Sequence, residues 1–160
     1  MLLKRPQLLD FETKKFIFRN HPRIRKLSRH RVHIEVDRAH LFQGSYNQLM
    51  SRSVRELEGR IQVSFVNEPG YDAGGLKREW FLVVSREIFN QDYALFEKSS
   101  SGSTYQPNPK SYINPDHLNY FKFIGRFIGK ALVERELIDA YFTRAFYKMI
   151  LGQELEFKDL

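Results

Sequence analysis

The chain has no cysteine among its 160 residues and a single tryptophan. The first absence excludes disulfides, cysteine-held zinc and a thiol nucleophile within these residues, and it agrees with a reducing compartment, the cytoplasm and/or the nucleus. No apolar run approaches the roughly 18 residues of a membrane helix, so no membrane association is expected. Met1-Leu2-Leu3-Lys4-Arg5-Pro6 lacks the apolar stretch of a secretory leader. The five histidines (21, 30, 33, 40 and 117) never fall at H-x-x-x-H or H-E-x-x-H spacing, so no metal is expected. No G-x-S-x-G elbow exposes a serine, and no dinucleotide fingerprint is present. No cofactor and no catalytic residue are therefore expected in this chain.

Beyond residue 40 the chain also lacks net charge. Residues 1–40 hold eleven Lys/Arg against four acids, which is the whole net charge of +7, and residues 41–160 hold fifteen of each. The basic excess belongs to one arm. Such an arm can hold nucleic acid through phosphates, or it can be a solvated helix face or meet an acidic neighbour. No aromatic-interleaved or zinc-finger pattern accompanies it, so nucleic acid is the weaker reading.

What is present is a chain 42% hydrophobic, enough for one globular core or a large piece of one. Leu8 to Arg19 reads as a helix, followed by a basic connector, His21 to Arg31. Val32, Ile34 and Val36 alternate with polar residues as in a half-buried strand, and Ile61, Val63 and Phe65 repeat the pattern. Leu41 to Met50 has helical spacing, and Val54 and Leu57 suggest a further turn. Leu76, Trp80, Val84 and Ile88 recur every four residues from Gly75, with Lys77, Arg78, Glu79, Ser85, Arg86 and Glu87 opposite. A hairpin pairing Leu95–Phe96 with Thr104–Tyr105 spans a Ser/Gly loop. Asn114 is expected to cap the longest helix, with Pro115 at its first position. Its stripes are Leu118, Phe121, Ile124, Ile128 and Leu132, and Tyr120, Phe123, Phe127 and Ala131. Gly125 and Gly129 suggest close approach of another element. Ile138 to Leu151 reads as a last helix, with Tyr141-Phe142, Ala145-Phe146 and Met149-Ile150 inward and Gly152 as C-cap. Glu154 and Glu156 read as solvated in a strand-like end. The fold class is α+β, predominantly helical, with short strands or hairpins.

Gly70-Tyr-Asp-Ala-Gly-Gly-Leu-Lys-Arg-Glu-Trp80 joins the second strand to the patterned helix. It is either a tight turn into a core helix or a phosphate cradle. No hydroxyl residue follows Lys77, so the P-loop pattern is not met. The run resembles the signature of the HECT ubiquitin-protein ligases, in the N-lobe of their catalytic domain. Three further segments resemble that family in order: Glu87 to Phe96, Asn114 to Arg126 and Tyr141 to Gly152. The very large members of the family are the best likeness.

That resemblance implies a division into a basic helix and connector, 1–30, and a partial N-lobe, 31–160, without the conjugating-enzyme-binding subdomain and the C-lobe. It implies ubiquitin, a ubiquitin-conjugating enzyme and protein substrates as partners. It places the thioester cysteine outside this chain, leaving these residues as scaffold. Gly70, Asp72, Gly74, Gly75, Arg78, Glu79 and Trp80 are the motif's structural residues. Tyr105 is a candidate ubiquitin contact, although the tyrosine of the best-known subgroup falls nearer Ser103; the alternative is that it covers the loop. Two other readings stay open: a non-catalytic module that binds ubiquitin or a partner, and a basic nucleic-acid-binding domain.

Overall fold

A computed structural model describes residues 8–21, 28–68 and 74–159. Gly70 and Asp72 of the motif lie outside the described residues. The parallel strands β1 (Ser28–Val36) and β2 (Gly59–Phe65) are joined through helix α2 (Leu41–Met50). Parallel neighbours need such a crossover, since a tight turn can only reverse the chain. The register sets Val32 beside Ile61, Ile34 beside Val63 and Val36 beside Phe65. The two alternating patterns thus merge into one apolar face. At its start β2 runs close to β1: a Cβ on Gly59 would overlap the His30 ring, whose Nε2 lies 2.8 Å from the Glu56 carbonyl oxygen.

Helix α3 (Gly75–Ile88) packs on β2 and α2, and α4 (His117–Glu134) packs on α2. Trp80, Phe81, Val84 and Ile88 from α3 meet Phe123, Ile124, Phe127 and Ala131 from α4 in one core. The rings of Trp80, Phe81 and Phe127 stand 4.8–5.4 Å apart, tilted or edge to face. Arg126 reaches from α4 to donate to the Leu49 and Arg52 carbonyls, each at 2.8 Å. It satisfies acceptors that the end of α2 leaves open.

Several sequence expectations shift. Helix α1 spans Phe11–Asn20 and not Leu8 to Arg19, because Asp10 caps it, accepting from the Thr13 amide at 2.8 Å. It buries no residue. Ser85, expected on the polar face of α3, is fully buried; its hydroxyl donates to the Leu82 carbonyl and accepts from the Asp139 amide. The carbonyl one turn back in the same helix supplies an acceptor for the buried hydroxyl. The hairpin pairs β3 (Phe96–Lys98) with β4 (Tyr105–Pro107), each strand starting one residue later and ending two residues later than expected. The Ser99 amide closes the loop on the Thr104 carbonyl at 2.8 Å, and Pro107 occupies the outer end, where no donor is required.

Asn114 does not cap α4. Its carboxamide oxygen accepts from the Asp116 amide in a preceding turn, and Asp116 stands at the N-cap. Leu118 and Leu132 lie exposed, and a Cβ on Gly125 or Gly129 would meet nothing within 4 Å. The glycine face is open rather than closely approached. The last helix, α5, is only Arg144–Ile150, because Thr143 caps it and residues 141–143 run extended beside Tyr105. Phe142 is buried, but Tyr141, Met149 and Ile150 are exposed. Gly152 ends the helix at φ +63°. Phe157–Asp159 form a 3₁₀ turn instead of a strand.

Candidate functional site

The motif region starts at Gly74, at φ +108°, where a side chain would be strained and glycine is not. Gly75 opens α3, and a Cβ there would meet nothing within 4 Å. Trp80 is fully buried, and its indole N–H donates to the Ser45 hydroxyl at 3.0 Å. A buried N–H needs an acceptor, and Ser45 supplies it from α2 without opening the core. Arg78 points outward to solvent.

Glu79 does not pair with its sequence neighbour. It accepts from Arg38 Nη1 at 2.7 Å, while Arg38 also grips both oxygens of Glu68 and lies 3.9 Å over the Phe65 ring. The charge-assisted bonds from Glu68 and then Glu79 push the Arg38 guanidinium further up, and Arg38 holds the Glu68 carboxyl below its ordinary value. This knot ties the end of β2 and the start of α3 to the turn before α2. All three side chains remain about two-fifths exposed, so its strength is screened.

The first turn of α3 also anchors a buried ionic cluster. Lys77 Nζ lies 3.1 Å from Glu134 and 3.1 Å from Glu136. Glu134 accepts a hydrogen bond from the Ile61 amide at 2.8 Å and pairs with Lys130 at 3.1 Å. Lys130 in turn donates to the Gly59 carbonyl at 2.8 Å. Burial pulls the Lys130 ammonium below the usual lysine range, against the pull of Glu134. For Glu134, burial works the other way, yet the Ile61 amide and the two lysines hold its carboxyl below the ordinary value. Burial likewise opposes the charge on Lys77, and Glu136 and Glu134 outweigh it. The cluster clamps α3, α4 and β2 together. Both oxygens of Glu134 meet donors, from the Ile61 amide and Lys130 on one side and from Lys77 on the other.

Tyr105 lies elsewhere, on β4. Its ring packs 4.5 Å from Phe89, and its backbone bonds Tyr141 and Thr143 on both sides. It walls a cleft of about 340 Å³ together with Arg86, Lys98, Ser103 and Asp139. Arg86 and Asp139 pair across the rim at 3.1 Å, both more than half exposed. The motif and Tyr105 are thus two separate places, joined through the body of α3. Among the described residues, no group of three or more potential ligands could hold a metal ion. No helix among them is long and apolar enough to cross a membrane.

Sequence reasoning missed Arg38 and Glu68, whose partners lie 41 and 30 residues away and leave no local signal. It also missed the Lys130–Glu134 pair, although four-residue spacing marked it.

The comparisons with known proteins bear on what this assembly belongs to. The family described as HECT-domain (ubiquitin-transferase) matches residues 82–160. Over its whole length the chain is 47% identical to the E3 ubiquitin-protein ligase UPL1 of Arabidopsis thaliana, of which it covers 4%. Over 96% of its length it is 43% identical to HUWE1 of Mus musculus, again covering 4% of that ligase. Over 94% it is 46% identical to RSP5 of Chaetomium thermophilum, covering 18%. The chain therefore spans only a small part of the curated relatives it matches.

Proposed function

Because this chain belongs to the HECT-type ubiquitin-protein ligase family, we propose that it serves as scaffold within the N-lobe of such a ligase and supplies no reacting atom. In this reading a cysteine thiolate elsewhere on the polypeptide attacks the thioester on a ubiquitin-conjugating enzyme. That enzyme's sulfur leaves, and ubiquitin is held as a new thioester. A lysine amine of a protein substrate then attacks the carbonyl, and the thiolate departs. The reading assigns residues 1–30 to a basic arm and residues 31–160 to the lobe portion, with β1 (Ser28–Val36) crossing that boundary. Gly74, Gly75, Arg78, Glu79 and Trp80 shape the platform, and the reaction takes place in the cytoplasm, the nucleus or both.

The observation that carries this reading is the combination of a cysteine-free chain with polar groups that are spent on structure. Its test is to incubate the intact polypeptide with activating enzyme, conjugating enzyme, ubiquitin and ATP. A ubiquitin adduct that a thiol reductant removes supports the ligase reading; its absence overturns it.

The cleft beside Tyr105 favours one alternative, a module that binds ubiquitin or a partner without chemistry. Tyr105 is half-buried against Phe89, so it would serve as a cleft wall and not as a projecting knob. Titration of ubiquitin with saturable shifts at Lys98 and Tyr105 supports that use. The same titration without such shifts removes it. Nucleic acid binding would instead show a steep loss of affinity with salt that depends on residues 1–40.

A further inference from the structure

The loop between β3 and β4 reads Ser99-Ser-Ser-Gly-Ser-Thr104, five hydroxyl residues in six. Two of them are engaged in closing the hairpin. Ser99 and Thr104 are half-buried and share a bond between their hydroxyls at 2.7 Å. Ser100, Ser101 and Ser103 are exposed, and the Ser101 hydroxyl bonds those of Ser99 and Ser103, each at 2.9 Å. Gly102, at φ +72°, turns the chain so that Ser103, alone of these three, lines the cleft.

The same cleft presents two cations, Arg86 from α3 and Lys98 from β3, against one acid, Asp139. Arg86 is held there by Asp139 alone among its ion pairs in the described residues, through a bridge more than half exposed on both sides. So exposed a bridge is weak and yields readily to a stronger anion. A phosphoserine brings about −1.5 to −2 charges and three acceptor oxygens, enough to engage both cations at once.

We infer that Ser103 is a phosphoacceptor and that its phosphate is held across the cleft by Arg86 and Lys98. In the transfer, the Ser103 hydroxyl oxygen bonds to the γ-phosphorus of a nucleoside triphosphate. The bond from that phosphorus to the β–γ bridging oxygen breaks, the diphosphate leaves, and the hydroxyl proton is released. The phosphate draws Arg86 from Asp139, pins the loop to α3 and fills the cleft. It thereby removes this face as a surface for any partner. The inference stands on the cleft's geometry and does not depend on the ligase reading.

The first arm of the test maps phosphate by mass spectrometry on the native protein purified with phosphatase inhibitors. Phosphate on Ser103 is expected; phosphate confined to Ser100 or Ser101, or none, overturns the assignment. The second arm places phosphoserine at 103 or at 100 during synthesis and follows each by phosphorus NMR against pH. Phosphoserine 100 should titrate near its ordinary value of about 6, and phosphoserine 103 about one unit lower, because two cations favour its dianion. Arg86→Gln and Lys98→Gln, both at exposed positions, should each return part of that difference. Equal titration at 100 and 103, or a difference that neither substitution moves, overturns the proposal.

Discussion

Helices α3 and α4 on one side, and α1 and α5 on the other, all carry apolar residues at helical spacing, yet their fates differ. From α3, Trp80, Phe81, Val84 and Ile88 are almost wholly buried, and every buried polar group near them has a partner. Helices α1 and α5 have no fully buried residue; Phe11 and Phe16 remain about two-thirds exposed, and on α5 Phe146 packs half-buried against the core. A helical apolar period therefore forecasts helix formation and not the presence of something to pack against. The centre is fixed by side chains that reach across the fold: Ser45 to Trp80, Glu134 to Ile61 and Arg126 to Leu49. The margins are held by local caps, such as Asp10 and Thr143.

The sharpest way to break this contrast is Trp80→Ala, which empties the largest buried side chain. It should cost about 3–5 kcal/mol in urea unfolding of the chain. A loss below about 1 kcal/mol would mean that the centre is no better packed than the margins.

Next comes Glu134→Gln, which leaves Lys130 buried beside a neutral amide and should cost a similar or slightly smaller amount, about 3 kcal/mol. This prediction carries a pH signature. The folded carboxyl of Glu134 sits below its ordinary value of 4.5. Its contribution is therefore full above that value and lost as pH falls through the folded pKa. Stability measured from pH 6 downward should fall less steeply in the Gln variant than in the parent. Identical acid limbs would remove Glu134 from the account.

Ser45→Ala should cost about 1–3 kcal/mol by leaving the indole N–H of Trp80 without an acceptor. Trp80→Phe in the same background removes the donor, so the two changes should not add.

At the open face of α4, Gly129→Ala should raise stability by about 0.5–1 kcal/mol, since alanine favours the helix and its methyl meets nothing. A loss of stability in the intact polypeptide would show that another element covers that face. Smallest of all, Phe16→Ala on α1 should stay within about 0.5 kcal/mol of the parent.

Much of this fold was legible in the sequence, and the reasons are particular. Strands β1 and β2 were visible because strict alternation has one explanation when one face is buried. The start of α3 at Gly75 was visible because the glycine pair and the four-residue period meet there. The ends of α4 and α5 were not, because Asn114 and Thr143 are both good caps and only tertiary bonds choose between them and their neighbours. The extended run at 141–143 depends on Tyr105, some 36 positions earlier, and no local pattern encodes it. The motif of the candidate site could be read as a string, but its physical partner, Arg38, could not. Glu79 could as well have turned to a neighbour on its own helix.

The proposal is that these residues position ubiquitin transfer without carrying ubiquitin covalently. It is tested most directly by mapping where ubiquitin is attached in a single turnover of the intact polypeptide, with the sample kept free of reductant. The expected result is a thiol-sensitive link to a cysteine outside these 160 residues, with no transient link inside them. A transient ubiquitin link on a residue of this chain would contradict the account.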